Sequence, residues 1–320
     1  MLTAESVRQR ARTLGFDLCG VAPAEAVPES ARIREWLARG YAGDMGYLPR
    51  TAHLREDVRR VLPSARSVIV TGTVYNTDRP YSVEVADPAQ ALVSRYAWGD
   101  DYHDIVGERQ ERLLDWMRAE HGEPFEARTF VDTGPIHERA HAERAGLGWV
   151  GKHGCLINPD LGSWLFLSAI ACSLPLAPDE PVLDRCGTCT LCIAACPTGA
   201  IVEPRVLDAR RCLSYLTIEL RREIPEPLRA AVGTRIFGCD ICQDVCPWNQ
   251  SAARSDDTAW QARPALRRPF LRDLWAMSDD ELAGLTRGSA MSRAGVAGLR
   301  RNLAVALANS SGGPHAVSRR

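Results

Sequence analysis

The sequence predicts an α+β protein built from three parts. Residues 1–177 alternate between helical and strand-like apolar patterns, as in a mixed α/β domain. Residues 178–250 contain eight of the eleven cysteines, a density that indicates a small metal-binding domain. Residues 251–320 have mainly helical patterns. We therefore expect a large first domain, a cysteine-rich second domain and a short C-terminal helical segment.

The charge balance limits the classes of function. The chain has 320 residues, of which 39 are basic and 40 acidic, so its formal charge is -1. This excludes a generally basic protein that coats nucleic acid, but it is compatible with a local basic patch. The N-terminus lacks a secretory signal, and the longest apolar run, residues 164–177, is shorter than the ~20 residues of a transmembrane helix. We expect a cytoplasmic protein without a membrane segment.

Each element of the first domain has its own pattern. Residues 5–14 and 102–120 carry apolar residues at helical spacing, and residues 136–146 are a predicted short helix. Four apolar runs are predicted strands, namely residues 17–22, 67–75, 125–131 and 164–172. The last run is apolar throughout, which predicts burial on both faces of a sheet.

Two stretches of unusual composition predict the connections between the parts. Residues 173–181 contain three prolines and read as a linker. Residues 251–258 are polar and form the second predicted connection. Residues 292–308 then have the apolar spacing of a packed helix.

The cysteines follow a recognisable spacing. Cys186, Cys189, Cys192 and Cys196 form the run C-x2-C-x2-C-x3-C, and Pro197 comes next. This run binds 4Fe–4S clusters in bacterial ferredoxins, where three thiolates ligate one cluster and the fourth ligates another. The sequence therefore predicts a ferredoxin-like domain with two clusters.

Four further cysteines complete the eight ligands that two clusters need. By pseudo-symmetry, the first cluster takes Cys186, Cys189, Cys192 and Cys246, and the second takes Cys196, Cys212, Cys239 and Cys242. Structural zinc is the less favoured alternative, because zinc sites usually use two separated pairs of ligands. The remaining cysteines are predicted to be small buried apolar residues, namely Cys19, Cys155 and Cys172.

Residues 131–166 are dense in glycine, polar and aromatic residues. Glycines at positions 146, 148, 151, 154 and 162 suggest that the backbone approaches a large ligand closely. Asp132 ends a predicted strand, where it either faces a cavity or caps the helix that follows. Three histidines of this block could bind metal, namely His137, His141 and His153, but His137 and His141 have no evident third ligand and are predicted to have surface or packing roles.

Several motifs together resemble the epoxyqueuosine reductase family. They are Val131-Asp132-Thr133-Gly134-Pro135, Glu138-Arg139, Gly146-Leu147-Gly148-Trp149, Gly151-Lys152, the Gly162-Ser163 turn and the two cysteine runs. The family reduces epoxyqueuosine at the tRNA wobble position to queuosine, the last step of queuosine biosynthesis. It uses cobalamin and two 4Fe–4S clusters. Its cobalamin-binding domain is similar to nitroreductases and reductive dehalogenases, and many members continue into a HEAT-like helical region, of which this chain keeps one recognisable repeat.

The resemblance implies a mechanism and a set of contacts. Clusters pass single electrons, so cob(I/II)alamin would act as the two-electron store. Asp132 would be the proton donor, with a pKa raised beside the corrin. The sequence at Asp101 and His103 begins like the axial-ligand motif D-x-H-x-x-G, but Gly107 is one residue too far, so we expect base-off cobalamin. The contacts carried over by position are Arg55, Arg95, Asp132, Lys152, His153 and Ser214.

The resemblance also implies a tRNA partner. The candidate phosphate contacts are Arg221 and Arg222, for which a solvated helix face is the alternative. A basic patch over the anticodon stem would extend to Arg267, Arg268, Arg300 and Arg301. We expect a monomer that takes electrons from an external donor such as a ferredoxin or flavodoxin. The alternatives are a soluble reductive dehalogenase-like enzyme and a non-enzymatic dicluster electron carrier.

Overall fold

The computed structural model describes residues 2–311. The helices of its first part are α1 (Ala4–Thr13), α2 (Ser30–Ala38), α3 (Tyr47–Arg55), α4 (Tyr102–His121) and α5 (Glu138–Arg144). The strands are β1 (Leu18–Pro23), β2 (Ser67–Val74), β3 (Leu92–Val93), β4 (Ala127–Phe130), β5 (Trp149–Val150), β6 (Leu156–Ile157) and β7 (Leu165–Cys172). The mixed α/β character predicted for this part is confirmed.

One antiparallel sheet organises the first part, with strand order β1-β2-β7-β4. Every residue of β2 is buried, because α1 and α4 cover one face of the sheet and α5 covers the other. The four predicted strands are all present, although β4 is shorter than residues 125–131. β4 leads directly into the loop that holds Asp132, so the sheet fixes where that residue begins its turn.

The start of α4 is fixed by a side-chain cap. Asp101 is the N-cap, and its carboxylate accepts a hydrogen bond from the N–H of His103 at 3.0 Å. The helix ends at Gly122, whose φ of 78° only glycine adopts readily. The first turn of α4 therefore holds Tyr102 and His103 in fixed positions beside the end of β4.

The cysteine-rich part consists of short elements joined by loops. They are α6 (Leu191–Ala195), β8 (Ile201–Glu203), β9 (Val206–Leu207), α7 (Leu213–Ile218), α8 (Glu226–Val232), β10 (Arg235–Phe237) and α9 (Ile241–Asp244). β10 pairs in parallel with β3 of the first part. The predicted linker at residues 173–181 has no helix or strand, but the carboxylate of Asp179 ties it to the N–H of Val21 at 2.8 Å.

The C-terminal part contains α10 (Leu271–Ala276), α11 (Asp279–Thr286) and α12 (Gly295–Ser311). The helix predicted from residue 292 thus begins at Gly295. One apolar core joins all three parts, since it buries Val93, Phe237 and Leu303 together. The domain boundaries near residues 177 and 250 therefore stay predictions. Within residues 2–311, no helix combines the length and apolar character needed to cross a membrane.

Candidate active site

The eight motif cysteines lie in two groups. Burial raises the pKa of Cys246 to about 11, and the neighbouring charges of Cys186, Cys192 and Cys189 add to the shift. Burial also raises the pKa of Cys242, whose neighbours include Cys239 and Cys212, and Cys212 in turn is influenced by Cys196. The grouping matches the two ligand sets that the spacing predicts. Such buried thiols ionise only beside a compensating positive charge, which cluster iron supplies.

Hydrogen bonds to sulfur surround the second group. The N–H of Ala200 donates to Sγ of Cys196 at 3.2 Å. Burial raises the pKa of Cys212, and donation from the backbone and hydroxyl of Ser214 opposes that effect. Ser214, a predicted cobalamin contact, therefore lies in the first turn of α7 against a ligand of the second cluster. Donors to cluster sulfur tune reduction potential.

A hairpin of β5 and β6 carries its tip, residues 151–155, to the cysteine loops. The ammonium of Lys152 donates to the carbonyl oxygens of Gly187 at 2.6 Å and Cys189 at 2.8 Å. The family resemblance implies that Lys152 contacts cobalamin, whereas in the structure its ammonium is hydrogen-bonded to the first cysteine loop. His153 is buried beside it, and its Nδ1 accepts a hydrogen bond from the N–H of Cys155.

The glycines of residues 131–166 mainly permit close packing within the protein. A Cβ atom at Gly148 would lie 2.1 Å from the carbonyl oxygen of Ile157, and one at Gly162 would lie 2.5 Å from Oδ1 of Asn249. Gly154 is different, because its nearest neighbour would be 3.8 Å away, on Arg139. The expectation that these glycines as a group admit a large ligand is therefore wrong. Most of them allow residues 131–166 to pack closely against one another and against the segment that follows Cys246.

Asp132 follows β4 in the left-handed backbone region, with φ of 56°. Such a conformation in a residue other than glycine costs about 1–3 kcal/mol and is concentrated at functional sites. The side chain is 61% exposed, and its Oδ2 lies 3.4 Å from Nε2 of His103. Asp132 does not cap α5, since His137 is the N-cap and makes no side-chain cap hydrogen bond. The predicted capping of α5 is therefore wrong, and the prediction that Asp132 faces a cavity stays a prediction.

The acidity of Asp132 differs from the expectation. Desolvation by the surrounding protein raises its pKa, but the contact with His103 and the charge of that ring, with a hydrogen bond from Tyr102, outweigh this effect and lower the pKa. The raised pKa predicted for Asp132 is therefore wrong for this arrangement. Burial lowers the pKa of His103, but the carboxylates of Asp101 and Asp132 raise it overall to about 9. Near neutral pH, the proton of this pair therefore resides on the imidazole.

Two further side chains support the Asp132 loop. Glu138 Oε1 accepts a hydrogen bond from the N–H of Asp132 at 2.8 Å. Burial, followed by the negative charge of Asp132, raises the pKa of Glu138 to about 7. Arg55, a predicted cobalamin contact, donates from Nη1 to the carbonyl oxygen of Ile136 at 2.8 Å. Arg55 thus holds the segment that follows Asp132.

Arg95 has an internal role. It is 2% exposed, and its guanidinium donates to the carbonyl oxygens of Arg79 at 2.9 Å and Pro80 at 3.0 Å. It also lies 4.6 Å from the ring centroid of Trp98, a cation–π contact. A side chain covered in this way does not reach an external ligand. The cobalamin contact predicted for Arg95 is therefore not made by its guanidinium here.

The predicted RNA-binding arginines differ in their surroundings. Arg221 and Arg222 are exposed; Arg221 donates to two main-chain carbonyls of the segment before α12, and Arg222 pairs with Asp44 at 3.1 Å. Arg300 and Arg301 instead point inward, and most of the hydrogen bonds that their guanidinium groups donate go to main-chain carbonyl oxygens. Because Arg221 and Arg222 are exposed while Arg300 and Arg301 are only partly so, the first pair is the more accessible to an external phosphate.

The sequence analysis missed three residues that lie around Asp132. Arg293 pairs with Glu219 at 2.9 Å and lies 5.8 Å from the ring centroid of Tyr47. Burial raises the pKa of Tyr47, and the charges of Glu219, Arg293 and Asp132 also act on it. We call these four residues the rim. They come from separate elements in all three parts of the chain, so no local pattern connects them.

Comparisons with known proteins agree with this architecture. Residues 185–249 match the family model of a 4Fe-4S double cluster binding domain, and residues 55–133 match the model named Epoxyqueuosine reductase QueG, DUF1730. The first match favours iron–sulfur clusters over structural zinc. The fold and the cysteine site thus define an iron–sulfur oxidoreductase.

Similar proteins extend the match to nearly the whole chain. The epoxyqueuosine reductase of Xanthomonas campestris pv. campestris is 43% identical over 97% of this chain and 87% of its own length, and that of Gloeobacter violaceus is 44% identical over 96% and 97%. A crystal structure of epoxyqueuosine reductase with an epoxyqueuosine-modified tRNA-Tyr stem loop superposes with a TM-score of 0.88, at 31% identity, over 96% of this chain and 81% of that one. The chain belongs to the epoxyqueuosine reductase family.

Proposed function

We propose that this chain reduces epoxyqueuosine at the wobble position of cytoplasmic tRNA to queuosine, with cobalamin and two 4Fe–4S clusters. The observation that carries the proposal is the placement of Asp132. This exposed carboxylate in a strained backbone shares the rim with Glu219, at the end of the helix that begins after Cys212. The Asp132 carboxylate and the helix that follows Cys212, a predicted ligand of the second cluster, therefore meet at the rim. The substrate is the one present in the similar structure with a modified tRNA stem loop.

The reaction fixes what the site must provide. Removing the epoxide oxygen consumes two electrons and two protons; both carbon–oxygen bonds break, a carbon–carbon double bond forms and the oxygen leaves as water. Cobalamin, when bound, would store two electrons that arrive singly from the clusters and deliver them to the substrate. The role of Asp132 is to deliver a proton to the oxygen as the first carbon–oxygen bond breaks.

The residues present fit a corrin. Buried polar atoms normally have hydrogen-bond partners, yet Nε2 of His153 and Nε2 of His137 are buried without one. In His153, Nδ1 accepts a hydrogen bond, so Nε2 carries the hydrogen and can donate to an amide side arm of the corrin. His103 directs both ring nitrogens at carboxylates, which supports base-off binding without a protein histidine on cobalt.

Electrons would enter at the first cluster and leave from the second. The loop of Cys186 and Cys189 is partly exposed and is flanked by the exposed side chains of Leu183 and Leu191. The second group lies against Ser214, in the first turn of α7. An external one-electron donor would therefore meet the first cluster, while Arg221 and Arg222 would hold RNA phosphates beside the rim.

Nucleoside analysis tests the proposal. The protein is loaded anaerobically with iron, sulfide and cobalamin, reduced chemically and given a stem-loop RNA that carries epoxyqueuosine. We expect the modified nucleoside to lose one oxygen atom and become queuosine, and we expect no bromide release from a brominated phenol under the same conditions. Bromide release without queuosine formation would favour the reductive dehalogenase alternative.

A further inference from the structure

His103 lies between two carboxylates. Its Nδ1 is 2.7 Å from Oδ1 of Asp101, and its Nε2 is 3.4 Å from Oδ2 of Asp132. Asp101 is fixed, because the same carboxylate caps α4. The separation to Asp132 exceeds that of an aligned hydrogen bond, whereas the contact with Asp101 is within hydrogen-bond distance and holds the ring.

The geometry selects a protonated ring. A neutral imidazole has one donor and one acceptor nitrogen, so facing two carboxylates it would turn a lone pair toward one of them. Only the imidazolium presents an N–H to both carboxylates. More distant charges also act on the pair, with Arg139 lowering the pKa of Asp132 and Arg263 lowering that of Asp101. The His103 side chain is 33% exposed, but its Nε2 is buried and has no hydrogen-bond partner, so protons from water reach it by way of the 61% exposed carboxylate of Asp132.

We propose that His103 holds the proton that Asp132 delivers to the epoxide oxygen, and that it reloads from solvent to supply the second proton. This inference rests on the function proposed above. In each turnover a proton passes from Nε2 of His103 to Asp132 and then to the oxygen as the first carbon–oxygen bond breaks. The second proton follows the same route when the oxygen leaves as water. His103 acts through Asp132 and is therefore a positioning residue.

Asp101→Asn separates charge from capping. Asparagine caps a helix as well as aspartate does, so α4 should be unaffected. Loss of the negative charge should lower the pKa of His103, which an opposite charge at this distance raises by about 1–3 units. In single turnovers by pre-reduced protein, we expect the wild-type rate to fall as pH rises through about 9. In Asp101→Asn, this alkaline fall should begin about 1–3 pH units lower.

His103→Gln removes the proton store. We expect the single-turnover rate at neutral pH to fall by about 10²-fold, the lower end for acid–base groups. The single-turnover rate should no longer fall as pH rises through about 9, while RNA affinity and iron content stay unchanged. His121→Gln, at the other end of α4, is the matched control. Should His103→Gln lose iron or unfold, the pH profile of Asp101→Asn decides the question.

Two contrary outcomes have different meanings. Wild-type rates and pH profiles in both His103→Gln and Asp101→Asn, with Asp132→Asn inactive, would overturn the role of His103 and leave the proposed function intact. Wild-type turnover in Asp132→Asn would refute Asp132 as the acid, and the role of His103 with it.

Discussion

Arg301 donates from Nη2 to the carbonyl oxygen of Leu216 at 2.8 Å, and its Nη1 donates to the carbonyls of Leu220 and Arg222. Helix α12 thereby supplies partners to the C-terminal end of α7, the helix that begins after Cys212. Carbonyls at a helix end lack partners within the helix, and a cation there also complements the helix dipole. The C-terminal segment is thus part of the support for the second cluster.

Arg301→Ala tests this support. The substitution leaves part-buried carbonyls without donors, so we expect the free energy of unfolding to fall by about 1–3 kcal/mol. Anaerobic denaturant titration measures the loss, with Arg272→Ala, an exposed arginine of α10, as the control. Unchanged stability combined with weaker tRNA binding would show that Arg301 serves the RNA instead.

Replacement of both Arg221 and Arg222 by alanine should weaken tRNA binding. Two lost phosphate contacts should reduce the slope of log affinity against log salt by roughly 1.4–1.8. Fluorescence anisotropy across a salt series gives this slope, and cofactor spectra should not change. The double variant of Arg112 and Arg272 is the control. An unaltered slope would show that the RNA phosphates bind elsewhere, and the exposed Arg267 and Arg268 would then be the next candidates.

The ligand grouping predicts iron content. Wild-type protein loaded anaerobically should bind about eight irons, from two four-iron clusters. Cys246→Ser should lose the first cluster and Cys242→Ser the second, so each should retain about four irons. Cys19→Ser lies outside both groups and should keep about eight. Zinc in place of iron, or about four irons in the wild type, would refute the two-cluster assignment.

Glu138 predicts a pH-dependent stability. Its pKa is about 7 in the folded protein and 4.5 as the reference. Because the folded state holds the proton more tightly, the contribution of Glu138 to the free energy of unfolding falls as pH rises from 4.5 to about 7, and it stays low at higher pH. Glu138→Gln keeps the oxygen that accepts from Asp132, so it should stabilise the protein at pH 8 by at most about 3 kcal/mol and leave it unchanged near pH 4.5. Melting curves at both pH values test this, and equal effects at both would contradict it.

Periodicity and spacing predicted much of the molecule. The central strands carry long apolar runs, and α4 has regular apolar spacing with Asp101 before it, so both could be located from sequence. The ferredoxin spacing likewise located the double-cluster domain, which the family match to residues 185–249 confirms. In each case the information lies within a short stretch of chain.

Properties that depend on distant segments could not be predicted this way. The family resemblance implies that Arg95 contacts the cofactor, but its guanidinium is buried against the main chain of residues 79–80. The pKa of Asp132 is lowered by His103, which precedes it on a different element. The rim needs Tyr47 and Arg293, which are far apart in sequence and meet at 5.8 Å only in the folded chain.

The roles of cobalamin and Asp132 are decided by single turnover of epoxyqueuosine-bearing stem-loop RNA by pre-reduced protein, with and without cobalamin. We expect the wild type to form queuosine only when cobalamin is bound. We expect a rate at least ~10²-fold lower in Asp132→Asn, with RNA affinity and iron content unchanged, and a normal rate in the exposed control Asp160→Asn. Conversion without cobalamin, or a wild-type rate in Asp132→Asn, would refute the proposed mechanism.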